Sequence, residues 1–354
     1  MSLSKSLNGS VISSARRLIR KRTAQVRRDI HGFRTIGVLG ALSSSRPLLV
    51  HIVPMRRCNL ACTYCNEFDN FSDAVPLETM KLRIDKLAEF GTCSIGISGG
   101  EPLMHPELDA LIAYIRERGI LVGLLTNGYL LTEKRIKRLN TAGLETLQIS
   151  IDNVMPDDVS KKSLKVLDQK LVLLQRFAEF GVNINSVIGS GTEQPEDAVV
   201  VARRATELGF TTTVGIIHNG KGQLKPLDER NERIYRQLKD IGRKNFGFLN
   251  GFEKNLVAGK SNDWSCRAGA RYFYVDEDGL VHYCSQRRGF PAVPLDSYTT
   301  SDIDREYSTQ KECASYCTVA CVQRVSALDS WRRSPQTILP QPAVSPRLGR
   351  TTED

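Results

Sequence analysis

From residue 76 onward the chain repeats one unit: a helical pattern of apolar and polar positions, a glycine, then a short run rich in Ile, Val, Leu and Thr. PLETMKLRIDKLAEFG leads into CSIGIS, PELDALIAYIRERG into ILVGLLTNG, and TEKRIKRLNTAG into ETLQISID. Two further units lead into VNINSVIG and TTTVGIIH. The first pattern predicts amphipathic helices and the second predicts strands. The closing glycines, Gly91, Gly119, Gly143, Gly181 and Gly209, suit the left-handed position that ends a helix. Pro76, Pro106 and Pro195 fall near helix starts, and Thr132 is placed to cap one. With a first strand at LLVHIVP, six strands alternate with five helices. Such alternation implies right-handed crossovers and a parallel sheet. Six units fall short of the eight that close a complete barrel. The expected fold is α/β, a partial, laterally open (β/α)6 TIM-type barrel over 47–225. A flat doubly wound sheet is the structural alternative.

This register sets the distinctive residues at strand C-termini, where parallel barrels and sheets carry their active sites. Cys58, Cys62 and Cys65 follow strand 1, GGEP (99–102) follows strand 2, and TNG (126–128) follows strand 3. SID (150–152) closes strand 4, and HNG (218–220) follows strand 6. A helical connector is expected over 226–261 and a small cysteine-rich extension over 262–328. The tail 329–354, with Pro335, Pro340, Pro342 and Pro346, reads as disordered. Within the extension, RYFYVDEDGLVHYC reads as a hairpin turning at Asp278-Gly279, which would return Cys284 towards Cys266.

Composition adds compartment and charge. The 354 residues are 41% hydrophobic and 25% charged, ordinary for a globular protein. No stretch approaches about 18 consecutive apolar residues, and the basic N-terminus lacks the apolar core of a signal peptide. A cytoplasmic protein is expected. In that compartment nine cysteines point to metal or redox chemistry before disulfides. The formal charge of +10 is concentrated in the first 36 residues, which hold nine Lys or Arg against one Asp. Ile12, Ala15, Ile19, Val26, Ile30 and Phe33 form a helical stripe in this arm, set at 1–46. Two readings stand: the stripe packs on the barrel, or the basic helix makes peripheral contact with an anionic membrane. Nucleic acid is not expected, since no RNA-binding module accompanies the charge.

RRCNLACTYCNEF carries the chemistry. Iron–sulfur cubanes take four cysteines, one per iron, so three leave one iron with an open coordination site. Zinc with a distant fourth ligand is the other use of such spacing. C-x-x-x-C-x-x-C, with Tyr64 before the last cysteine, resembles the signature of radical S-adenosylmethionine (SAM) enzymes. The resemblance implies that Cys58, Cys62 and Cys65 hold a [4Fe–4S] cluster whose open iron binds SAM. Its reductive cleavage then yields a 5′-deoxyadenosyl radical that abstracts hydrogen from a substrate. Gly99, Gly100, Glu101 and Pro102 are similar to the family's methionine-binding segment. There the glycines would allow close backbone approach and Glu101 would accept from the SAM amino group. Thr126, Asn127, Ser150 and Asp152 resemble its further SAM-contacting positions. A reducing partner such as a flavodoxin or ferredoxin is implied. The substrate stays open among peptide, lipid-related and small molecules. The alternative is a non-catalytic iron–sulfur or zinc protein that scaffolds or carries electrons, for which an intact GGEP would have no use.

Cys266, Gly279 and Cys284 form C-x12-G-x4-C, which resembles the opening of the SPASM or twitch extensions of this family. These hold auxiliary clusters. The full SPASM pattern has seven cysteines and two clusters; only five lie here. One auxiliary [4Fe–4S] cluster is therefore expected, held by Cys266, Cys284 and two of Cys313, Cys317 and Cys321. Cys313 and Cys321 are the favoured pair, and structural zinc is the bland alternative. The last three recur every four residues, on one face if helical. Cys93 reads as a buried core thiol. His218, Asn66 and Glu67 are candidates to face a cavity.

Overall fold

The computed structural model describes residues 46–63, 65, 67–158, 160–189, 192–217, 227–242 and 252–330. The basic arm, the proline-bearing tail, Tyr64, Asn66 and the HNG segment lie outside the described residues.

The apolar runs form strands and the amphipathic stretches form helices, in the expected order. They are β1 (Leu49–Ile52), α1 (Leu77–Glu89), β2 (Ser94–Ile97), α2 (Leu108–Glu117), β3 (Leu121–Thr126) and α3 (Glu133–Ala142). Next come β4 (Thr146–Ser150), α4 (Leu164–Phe177), β5 (Gly181–Gly189), α5 (Asp197–Glu207), β6 (Thr211–Ile217), α6 (Glu229–Ile241) and α7 (Phe252–Val257). The cysteine-bearing region adds β7 (Tyr272–Val275), β8 (Leu280–His282), β9 (Pro291–Pro294), α8 (Thr300–Ser308) and α9 (Ala320–Ala327).

All nine strands among the described residues join one sheet, in the order β6-β5-β4-β3-β2-β1-β7-β8-β9. Strands β1 to β6 are parallel and strictly sequential. A doubly wound sheet would reverse its order at a switch point. Here each right-handed crossover steps the same way, which puts every crossover helix on one face and gives the partial barrel. Val50, Ile52, Ile95, Ile97, Leu147 and Ile149 bury against Ile84, Leu111, Ile136, Leu139 and Leu171 of the helices. Each such side chain contributes about 1.5–3 kcal/mol. On the other face α9 packs over β7 through Val322, while β2 to β6 meet no helix in the buried core of the described residues.

Thr132 caps α3, its side chain accepting from Arg135 N–H at 3.2 Å. Gly91, Gly119, Gly143 and Gly209 have positive φ, between 72° and 87°, as helix-terminating glycines should. Gly181 corrects the expectation: α4 stops at an extended Ala178, and Gly181 opens β5 with its N–H on Glu145 O. Cys93 also differs, since it is half-exposed at the foot of β2 with Sγ 3.8 Å from Gly91 O.

The extension is continuous with the barrel. β7 pairs in parallel with β1, Leu49 opposite Tyr272 and Ile52 opposite Val275. β8 returns antiparallel through a turn at Gly279, whose φ is +83°. Phe273 and Val275 enter the main core, whereas Tyr272 and Tyr274 pack with Cys266, Cys284 and Val322 of α9 on the opposite face. No helix among the described residues is long and apolar enough to cross a membrane.

Candidate active site

The first cysteine loop leaves β1 and closes on itself. Cys58 N–H donates to Asp69 O and Asp69 N–H to Arg56 O, each at 3.0 Å. Phe71 N–H, Ser72 N–H and the Ser72 hydroxyl all donate to the Asp69 carboxylate. The GGEP segment grips the base of this loop. Gly100 N–H donates to Met55 O and Glu101 N–H to Arg57 O, both at 3.0 Å. A Cβ on Gly100 would lie 2.1 Å from Arg56 O and 2.4 Å from Arg57 O; one on Gly99 would lie 2.4 Å from Met55 O. The close approach these glycines permit is therefore to the cysteine loop's own backbone.

Glu101 is fully buried and its carboxylate is engaged within the protein. Oε1 accepts from the Thr126 hydroxyl at 2.6 Å and Leu103 N–H at 2.9 Å, and Oε2 accepts from Asn127 N–H at 2.8 Å. Burial raises its pKa against these hydrogen bonds. Glu101 thus ties the turn after β2 to the end of β3, with Pro102 opening a short 3₁₀ turn. From there Asn127 Nδ2 reaches Asn59 Oδ1 at 2.8 Å and Cys58 Sγ at 3.8 Å. Asp152 is also buried, paired with Lys162 Nζ at 3.1 Å and accepting from Ser160 Oγ at 2.7 Å. Ser160 Oγ in turn lies 3.8 Å from Cys62 Sγ. Ser150 is half-exposed and pairs in register with Asn185 of β5.

The structure thus brings together Cys58, Cys62, Cys65, Gly100, Glu101, Thr126, Asn127 and Asp152. Asn59, Ser160 and Lys162 belong there too, although the sequence reading missed them. A Ser and Lys in the SKKS run before α4 were the available signal. Glu67, expected to face a cavity, instead accepts from Tyr274 OH at 2.5 Å and Arg288 Nη1 at 3.0 Å. Arg288 also pairs with Asp276 and Glu277, and Arg56 with Glu277. This clamp joins the first cysteine loop to the β7–β8 turn.

The thiols suit a cationic cluster. Burial pushes the Cys58 thiol up to about 11, with the nearby Glu101 carboxylate and the Cys65 and Cys62 sulfurs adding to it. Burial also raises Cys65. Such thiols keep their protons unless a cation replaces them. The backbone is ready for the thiolate form: Leu60 N–H points at Cys58 Sγ, 3.4 Å away, and Glu67 N–H at Cys65 Sγ.

In the second centre the sulfurs of Cys266, Cys284, Cys313 and Cys321 each raise the pKa of another cysteine, and Cys317 is raised by Cys266, Cys284 and Cys313. Burial is the larger cause, pushing Cys266 up to about 11 and Cys284 and Cys317 further. The same two-residue N–H···S turn recurs, from Ala268 to Cys266, Gln286 to Cys284 and, at 3.4 Å, Val319 to Cys317. At Cys321 the backbone donors are its own N–H and that of Val322 rather than a residue two further on, and its sulfur also accepts from the Tyr272 hydroxyl. The three C-terminal cysteines do not share one helix face. Cys313 sits in a 3₁₀ turn (Glu312–Tyr316), Cys317 is extended, and Cys321 lies in the first turn of α9.

The model of the radical SAM superfamily matches residues 52–225. Fe-coproporphyrin III synthase of Methanosarcina barkeri is 35% identical over 136 residues, 36% of this chain and 33% of that protein. GTP 3′,8-cyclase of a Synechococcus species is 31% identical over 190 residues, 48% of this chain and 55% of that protein. The match therefore spans a third to about half of each relative. Among solved structures, Streptococcus suis SuiB bound to the precursor peptide SuiA shares the fold. Its TM-score is 0.53 at 18% identity, covering 80% of this chain and 66% of that one. A cysteine triplet after β1, gripped by a GGEP turn after β2 inside a partial parallel barrel, thus has its family: this chain belongs to the radical SAM superfamily.

Proposed function

We propose that Cys58, Cys62 and Cys65 hold a [4Fe–4S] cluster that leaves one iron for SAM, and that the substrate meets SAM on the helix-free face of the barrel. Bound there, the cluster would supply the electron, passed on from a flavodoxin- or ferredoxin-like reductant, for cleavage of SAM to a hydrogen-abstracting 5′-deoxyadenosyl radical. One observation carries this reading: the half-buried Cys58 and Cys65 thiols, with preformed N–H donors, join the buried Cys62 in a loop whose base is gripped by Gly99 and Gly100. The half-exposed Ser150 and the backbone carbonyls of Gly99 and Gly100 would meet SAM, the Gly100 N–H being already given to Met55 O. Glu101, Thr126 and Asp152 act through others, as positioning residues, because the Glu101 carboxylate, the Thr126 hydroxyl and Asp152 Oδ2 are engaged within the protein, with Asn127, Leu103, Ser160 and Lys162 among the partners.

An auxiliary [4Fe–4S] cluster is proposed on Cys266, Cys284, Cys313 and Cys317. This exchanges Cys321 of the favoured pair for Cys317. Tetrahedral zinc, with bonds of about 2.3 Å, would hold its sulfurs about 3.8 Å apart. Among the described residues no three thiols lie within 4.8 Å of one another.

The test is anaerobic reconstitution, reduction with dithionite and addition of SAM, with 5′-deoxyadenosine read by mass spectrometry. Product from wild-type protein and none from Cys62→Ala is expected. Absence of product from fully iron-loaded wild-type protein overturns the reading.

A further inference from the structure

The helix-free face of β2 to β6 is built unlike the packed interior of a closed barrel, which bulky branched residues fill. Along β5 and β6 the positions facing the helices are buried, while Asn183, Asn185, Thr211 and Thr213 opposite them are half-exposed. Gln148 and Ser150 continue the rows on β4, opposite Asn183 and Asn185. No Asp, Glu, Lys or Arg occupies this face anywhere in the described strands β2 to β6. On neighbouring β1, burial pushes the pKa of His51 down to about 4, so its imidazole adds no charge near neutral pH.

Hydrogen bonds give the wall a direction. The Thr211 hydroxyl lies 2.9 Å from Asn183 Oδ1, and Asn183 Nδ2 donates to Thr213 Oγ1 at 2.8 Å and to Gln148 Oε1 at 3.3 Å. The Thr213 hydroxyl donates to Asn185 Oδ1 at 2.8 Å. All three carboxamide oxygens therefore have donors within the wall. The outward ends of this ladder are the NH₂ groups of Gln148 and Asn185, which bond to nothing among the described residues. Half-exposed carboxamides on rigid strands, with their oxygens engaged and their NH₂ groups outward, form a surface for acceptors.

From this geometry we infer that the β4–β6 wall is the substrate-reading surface, with Gln148 and Asn185 donating to carbonyl-type oxygens of an uncharged part of the substrate. A cation would meet donors. An anion would lose its hydration with no positive charge to replace it. A neutral amide or lactam carbonyl exchanges water for the two carboxamides without either cost. The inference rests on the radical SAM reading, because it takes the helix-free face as the place where substrate and SAM meet.

The test uses crystals of the reconstituted, SAM-loaded full chain, soaked with N-methylacetamide, acetate or methylammonium. N-methylacetamide should seat with its oxygen on Gln148 or Asn185, and the two ions should leave the wall free. Gln148→Glu and Asn185→Asp, made singly, turn a donor into an acceptor without changing shape. Each should lose the amide probe and gain methylammonium, a swap that a merely structural role would not produce. Acetate on the wild-type wall, no probe on it, or SAM itself covering both carboxamides overturns the inference. SAM cleavage by the same preparation keeps the two claims apart. 5′-Deoxyadenosine formed while the probe misses the wall sinks the inference alone; a seated probe without SAM cleavage sinks the radical SAM reading alone.

Discussion

Gly100→Ala isolates what the glycines of GGEP do. The backbone of Gly100 is not in the left-handed region, so an alanine there suffers no conformational strain. It suffers contact: the new Cβ would lie 2.1 Å from Arg56 O and 2.4 Å from Arg57 O, both backbone atoms that cannot swing aside. Restoring ordinary separation moves the base of the cysteine loop by about 1 Å. That movement breaks the hydrogen bonds from Gly100 N–H to Met55 O and from Glu101 N–H to Arg57 O. Two hydrogen bonds at about 1 kcal/mol each, with about 1–3 kcal/mol for overpacking, give a loss of about 3–5 kcal/mol. Gly119→Ala is the matched control, with φ at +74° and nothing within 4 Å of its Cβ. It carries strain alone, about 1–2 kcal/mol. Urea unfolding of the metal-free proteins measures both losses. Iron and sulfide analysis after reconstitution reads the second consequence, since a ligand set displaced by about 1 Å far exceeds the ~0.2 Å a metal site tolerates. Gly100→Ala should lose one cluster's iron, whereas Gly119→Ala should keep all of it. Equal destabilisation in the two variants, with full iron in both, would refute the close-approach argument.

Cys317→Ser should lose one cluster's iron while Cys321→Ser keeps the wild-type content, read by iron analysis and the visible charge-transfer band. The opposite result would restore Cys321 as the ligand. Arg288→Ala removes the cation shared by Glu67, Asp276 and Glu277, and should cost about 3 kcal/mol in urea unfolding; a loss under 1 kcal/mol would show that the clamp bears no load. Glu253 is buried, and burial pushes its pKa up from 4.5 to about 7 despite a hydrogen bond from Tyr235. A raised folded-state value means stability that is present below 4.5 and lost as pH rises through 7. Wild-type protein should therefore lose about 3 kcal/mol relative to Glu253→Gln between pH 4 and pH 8, and a pH-independent difference would contradict the assignment.

What could be read along the chain was what neighbours in sequence enforce. Strand alternation, the αL glycines and the hairpin at Gly279 are short-range events, and the apolar pattern states them directly. Gly181 failed because a glycine that ends a helix and one that opens a strand look alike when only composition is visible. The site divides the same way. The cysteine spacing lies within eight residues, but its supports come from afar: Glu101 bonds Thr126 and Asn127, Ser160 meets Cys62, and Arg288 meets Glu67. Such contacts exist only after the sheet has set strand ends side by side. Glu101 was therefore legible as important, while its task was not, because its partners sit on the next strand. The pairing of β7 with β1 was equally silent, since a parallel edge pairing leaves no mark in either strand.

Charge is distributed between the two faces of this problem in a way that the chemistry explains. Ion pairs crowd the seam between the centres, where Arg56, Glu67, Asp276, Glu277 and Arg288 hold the cysteine loop against the β7–β8 turn. The wall proposed to face substrate has none. An enzyme that moves protons or stabilises an oxyanion needs charged or titratable groups at the reacting atoms. Transfer of a hydrogen atom to a neutral radical develops little charge, so such groups have little to act on. The remaining lever is position, since small displacements of a bound reactant cost large factors in rate. Carboxamides and hydroxyls that bond one another along rigid strands supply position without charge. On this argument the uncharged wall and the charged clamp are two parts of one design: the clamp fixes where the radical is made, and the wall fixes which hydrogen it meets.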